Sequence, residues 1–372
     1  MKTLSHALRD QKGLSLVELM VAIAIGLFLL AGAISIFTNS KRVYVEQEDM
    51  SRIQENLRYA MDTISHDLRS AGYFGCGYAI DSSKLNNTLG AASGTLLDTK
   101  AGGLEGMEGS AGTKQWLPSG NTSEVIGSTT GSADAITIRH AAGPTWEVTD
   151  DFAANEAVDV KNVTSAYTAD TTYLSLNANV VYGGTGSKIE SNDLVTVGAC
   201  GNVDLFKAGT TTTTSVAHTA TFSTGYDKYA RVNKATFVRY YIGTDGTTGE
   251  PALYRQRWDR ASNSTVTELL VPGIENMQIT YGVDEDGDFA VDKFVPANTT
   301  DFTDGTADNW TKVIAVRIGL LARSATANAP ETDSQTYTLN GTSISAANDH
   351  RKRRAIEATV FIRNNSVNSD KA

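Results

Sequence analysis

Cysteine, proline and histidine are scarce in this chain, and the scarcity excludes several functions. There are 2 cysteines, 6 prolines and 5 histidines in 372 residues. Two thiols are too few for a disulfide-dense scaffold or a cysteine-rich zinc domain. The histidines, at 6, 66, 140, 218 and 350, are scattered, and neither HExxH nor GxSxG occurs. The glycine-rich stretch 102–112 lacks the Lys-Ser/Thr of a phosphate-binding loop. No catalytic constellation emerges, so an enzyme is not expected. Positive charge is also short: the net charge is −10, which argues against nucleic acid as a direct ligand.

What is present is a chain that is 41% hydrophobic and 20% charged, rich in Gly, Thr, Ser and Asn. That balance suits a β-rich extracytoplasmic protein with a substantial core. Cys76 and Cys200 then read either as one disulfide in an oxidising compartment or as two buried free thiols.

The N-terminus carries most of the information. Residues 1–13 (MKTLSHALRDQKG) are short and polar, with Lys2, Arg9 and Lys12. Residues 14–37 are apolar and long enough to cross a bilayer as a helix. The basic flank is expected on the cytoplasmic side, which sends the rest of the chain to the periplasm. One acid, Glu18, interrupts the run. A charge in a membrane segment costs about 2.5–3.5 kcal/mol on insertion scales, so it points to a function. An ordinary secretory signal cut after Ala31-Gly32-Ala33 is the competing reading, and it leaves Glu18 unexplained.

Beyond Phe37 the helical period persists. Met50, Ile53, Leu57, Ala60, Met61, Ile64 and Leu68 recur at spacings of three and four, and Gly72 is the stop signal. A single helix from Leu14 to about Ser70, about 85 Å long, is expected.

The run KGLSLVELMVAIAIG resembles the signal of type IV prepilins. The resemblance implies that a prepilin peptidase cuts between Gly13 and Leu14 and methylates Leu14. It also implies that Glu18, fifth in the mature chain, neutralises a subunit's new amine and sets filament register. Leucine at the first mature position departs from the commoner Phe or Met. The small residues Ala22, Ala24, Gly26, Ala31, Gly32 and Ala33 let neighbouring helices approach closely.

The segment DLRSAGYFGC (67–76) and the later run of strand-like segments resemble PilW-type minor pilins. The implied fold is α+β and pilin-like: a long N-terminal helix, membrane half plus amphipathic half, packed on a mostly antiparallel sheet. Strands are expected at 135–141, 193–200, 235–243, 252–258, 266–274, 277–283, 313–323 and 356–364. The expected organisation is a leader at 1–13, a transmembrane part at 14–37 and an amphipathic part at 38–72. A Gly/Thr-rich insertion with short strands follows at 73–231, and the sheet of the head at 232–372. A Cys76–Cys200 bridge would staple that insertion to the base of the helix, worth about 4–5 kcal/mol in chain-entropy terms.

The function implied is a low-abundance minor pilin, near the filament tip, that helps initiate pilus assembly. Its partners would be other minor and major pilins, the prepilin peptidase and the inner-membrane assembly platform. A filament-displayed adhesin and a type II secretion pseudopilin are the alternatives. No cofactor is expected, with one loop to check: Asp284, Asp286, Asp288 and Asp292 stand at positions 1, 3, 5 and 9 of a calcium loop. Phe289 replaces its glycine and Val295 its final glutamate, so an acidic solvated turn is the other reading. The basic run His350–Arg354 reads as a surface turn ahead of the last strand.

Overall fold

The computed structural model describes residues 15–75, 84–91, 95–99, 101–109, 133–147, 173–175, 189–199, 202–211, 215–218, 222–223, 226, 230–303 and 307–364. Two compact units divide the chain, Met1–Ser51 and Arg52–Ala372.

Helix α1 spans Leu16–Ser70. In the first unit its side chains are mostly exposed, including Leu19, Phe28, Leu30 and Phe37. An apolar surface of that kind is stable only in lipid or against other helices. In the second unit the helix is amphipathic: Ile53, Leu57, Ala60, Met61, Ile64 and Leu68 are buried along one stripe. Leu57, Ile64 and Leu68 are at most 1% exposed. Each contributes about 1.5–3 kcal/mol of burial to holding the helix there.

The strands are β1 (Leu85–Asn87), β2 (Leu104–Met107), β3 (Ala135–Glu147), β4 (Tyr173–Ser175), β5 (Leu194–Ala199), β6 (Asn202–Lys207), β7 (Ser215–Ala217) and β8 (Arg231–Thr244). There follow β9 (Pro251–Asp259), β10 (Ser264–Pro272), β11 (Ile274–Val283), β12 (Lys293–Val295), the short helix α2 (Thr300–Thr303), β13 (Val313–Arg323), β14 (Thr336–Leu339), β15 (Thr342–Ser345) and β16 (Arg353–Phe361). One sheet has the order β1-β6-β5-β8-β3-β2, with β9 on β8 and β10 on β9; a second has the order β12-β11-β13-β16. Pairing is antiparallel throughout except between β1 and β6. The fold is therefore α+β, a long N-terminal helix packed on a mostly antiparallel head.

Strands β3 and β5, from the Gly/Thr-rich region, pair directly with β8. The largest core cluster joins the helix stripe to both sheets, through Ile136, Ile138 and Tyr240 on one side and Met277, Ile279, Ile318 and Val360 on the other. Strand β5 is buried on both faces: Leu194 joins a cluster with Phe74, Leu205 and Phe237, while Val195 and Val197 join Phe206 and Val232.

Candidate functional site

Glu18 lies in the first turn of α1, just after Ser15, whose hydroxyl accepts from Val17 N at 3.3 Å. A carboxylate there complements the positive end of the helix dipole. Around it the side chains are apolar and open: Leu16 is 73% exposed, Val17 66% and Leu19 52%. The helix is long and apolar enough to cross a membrane, with a mean hydropathy of 2.7 over its most apolar window. Gly13, Leu14, Cys76 and Cys200 lie outside the described residues.

The motif at the end of α1 forms a joint with the sheet. Asp67 accepts a hydrogen bond from the Tyr240 hydroxyl at 2.6 Å. Burial, then the neighbouring Asp67 charge, pushes the Tyr240 phenol well up, so it stays a donor. Gly72 has φ +75°, a left-handed stop, and its N–H donates to Arg139 O at 3.0 Å. A side chain on Gly103 would lie 2.2 Å from Gly72 Cα, so the two glycines permit contact between backbones. Tyr73 O accepts from Ala141 N, and Phe74 is buried. Asn364 Nδ2 donates to Ala71 O at 3.1 Å and Ser70 O at 3.4 Å, satisfying carbonyls the helix end leaves open.

In the acidic loop, one carboxylate oxygen from each of Asp284, Asp286 and Asp292 lies within 4.8 Å of the others. Asp288 stands apart from that group and caps Ala290 N at 2.8 Å. The other acids also shape the turn: Asp284 accepts from Gly287 N and Phe289 N, and Asp292 from Glu285 N. Phe289 adopts φ +69°, the conformation a glycine would take more easily. Lys293 sits 2.6 Å from Glu285 and 3.1 Å from Asp301. These bonds account for the acids as turn formers.

The basic run is divided by strand alternation. The Arg353 side chain is fully buried and pairs with Glu275, Asp333 and Asp349 at 2.6, 3.1 and 2.7 Å. Arg351 reaches Glu250 at 2.7 Å, an acid shared with Arg323. Sequence spacing could not reveal this network, because its acids come from four separate segments.

A second buried group links the two sheets. Asp134, 2% exposed, accepts from Gly109 N at 2.8 Å and from Ile279 N at 2.7 Å. Burial, then Glu108, raises the Asp134 carboxyl well above the ordinary range. Burial likewise raises Glu108, which accepts from Ala297 N at 3.3 Å. Nearby, the Arg139 guanidinium donates to Glu105 at 2.5 Å with no exposure to water.

An acid-bearing apolar helix and a helix-on-sheet head are consistent with a pilin-like fold. Residues 8–34 match the family described as Prokaryotic N-terminal methylation motif, and residues 239–364 match Type IV Pilus-assembly protein W. Over those two segments the chain is similar to PilW-type pilus-assembly proteins and to the prepilin methylation signal. No curated protein and no solved structure matches it. Both matched families describe pilus assembly and processing signals rather than enzymes.

Proposed function

We propose that this chain is a minor pilin, a low-abundance subunit that helps initiate type IV pilus assembly near the filament tip. The observation that carries the reading is Glu18, a carboxylate in the first turn of a helix whose surroundings are open and apolar. Prepilin peptidase cuts between Gly13 and Leu14 and methylates Leu14. The new ammonium pairs with Glu18 of its own or a neighbouring subunit, and a low dielectric strengthens that pair. The chain then sits once in the inner membrane, with its head in the periplasm, until it enters the filament. Other minor and major pilins and the assembly platform are its partners. Cys76 and Cys200 form a disulfide in that compartment.

Intact mass and N-terminal sequencing of the membrane-extracted protein test processing: a methylated Leu14 start is expected, and an Ile34 start overturns it. Glu18→Ala tests the role of the acid: loss of incorporation into pili is expected, and normal piliation overturns it. Alkylation with and without reductant tests the disulfide.

A further inference from the structure

Strand β16 is hydrogen-bonded on one side only, as the last strand of its sheet. It pairs with β13 from Ala315↔Phe361 to Arg323↔Arg353 without a register shift. The bonds Ile362 N to Ile314 O and Ser324 N to Lys352 O fix its phase. Even-numbered residues therefore bond toward β13, and the backbone groups of Ala355, Glu357, Thr359 and Phe361 point away from it. Among the described residues no strand pairs with them.

Natural edge strands are blunted by proline, bulges or charge. This one has no proline and no bulge; of its three charges Arg353 is buried, Glu357 is engaged by Asn340 N at 2.6 Å, and Arg354 is exposed. Beside it, between α1 and β16, lies a cleft of about 340 Å³ lined by Leu57, Arg58, Met61, Asp62, Arg354 and Ile356. Arg353 points into its buried network, so its neighbour Arg354 faces the opposite side. Arg354 forms no ion pair among the described residues. Arg58 lies 3.7 Å from Asp62, with both side chains largely in water. The cleft thus has an apolar floor of Leu57, Met61 and Ile356, with Arg354, Arg58 and its ion-pair partner Asp62 around it, next to the edge of β16.

We propose that β16 accepts an extended acidic segment of a different filament subunit as an added strand, its carboxylates meeting Arg354 and Arg58. Peptide groups would supply affinity, and the arginines would choose an acidic sequence. The identity of the partner as a filament subunit rests on the minor-pilin reading.

The test places the photo-crosslinker p-benzoylphenylalanine at Thr359 of the full-length protein in piliated cells. The expected adduct is an acidic, extended segment of another pilus subunit, mapped by tandem mass spectrometry. Arg354→Glu should reduce its yield about tenfold or more, as like charges meet at the interface. Thr359→Pro, which removes an outward N–H and no bond to β13, should reduce it as well. No adduct, an adduct to a second copy, or a yield indifferent to Arg354→Glu overturns the proposal. The mature N-terminus is read in the same cells. A Leu14 start with no adduct removes only the docking strand, whereas an Ile34 start removes the filament reading and the partner with it.

Discussion

The hydroxyl of Tyr240 donates to the carboxylate of Asp67 at 2.6 Å, joining the last turn of the long helix to the middle of strand β8. The Asp67 side chain is 14% exposed, so water can replace the phenol only in part. Tyr240→Phe should therefore destabilise the head by about 1.5–3 kcal/mol, the range for hydrogen bonds to charged groups. Thermal unfolding of the purified protein checks this. His66→Ala, which removes a side chain 81% exposed, should change stability by no more than about 0.5 kcal/mol.

Gly103→Ala should be more damaging. Its Cβ would fall 2.2 Å from Gly72 Cα and 2.4 Å from Gly72 N, and backbone cannot step aside. A loss of about 3 kcal/mol or more is expected, at the upper end of overpacking. Gly246→Ala is the matched control, since a Cβ there meets nothing within 4 Å. Denaturant titration of the two variants should separate them clearly.

Arg353→Met leaves Glu275, Asp333 and Asp349 facing one another without their shared cation. Breaking a buried network from one side costs about 3–5 kcal/mol. Lys352→Gln, one position away and outside every ion pair among the described residues, should change stability by about 0.5 kcal/mol or less. Comparing their unfolding midpoints distinguishes a structural role for the run from a general need for basic charge.

Stability should respond to acid in two opposing ways. Backbone and side-chain hydrogen bonds and Arg353 hold Asp333 and Asp349 below the ordinary value of 3.8. Their contribution is present above that value and disappears as pH falls through the lower folded values. Asp134 is raised above 3.8, so its folded form keeps a proton that the unfolded chain has released. Its ionisation weakens the fold as pH rises from about 4 toward the raised folded value. Asp134→Asn, which cannot ionise, should remove that downward slope. A series of denaturant titrations between about pH 4 and 7 checks the sign. An unchanged slope would show that Asp134 already carries its charge in the fold.

The helix and the sheet strands were legible because their signals are local. Leu57, Ile64 and Leu68 fall on one helical face by spacing alone, and all three are buried. The segment 313–323 reads as a strand from its β-branched and apolar residues, and β13 occupies those positions. Pairing partners are a different matter. Nothing within 135–147 announces that it will lie against 231–240, because register depends on contacts remote in sequence. The run His350–Arg354 illustrates the same limit. Its composition suggests a solvated turn, yet strand alternation sends Arg353 inward to acids drawn from distant parts of the chain. The prepilin signal was legible from the resemblance carried by KGLSLVELMVAIAIG, whereas the closeness of Gly72 and Gly103 required the fold.

Asn364 closes on the carbonyls of Ser70 and Ala71, and Val360 and Ile362 complete the layer over the helix stripe. The two sides of that joint lie 294 residues apart along the chain. Until that joint closes, the stripe from Ile53 to Leu68 lacks the part of its cover that Val360 and Ile362 provide. Losing Val360 and Ile362 would therefore leave an apolar seam of the kind chaperones and proteases engage.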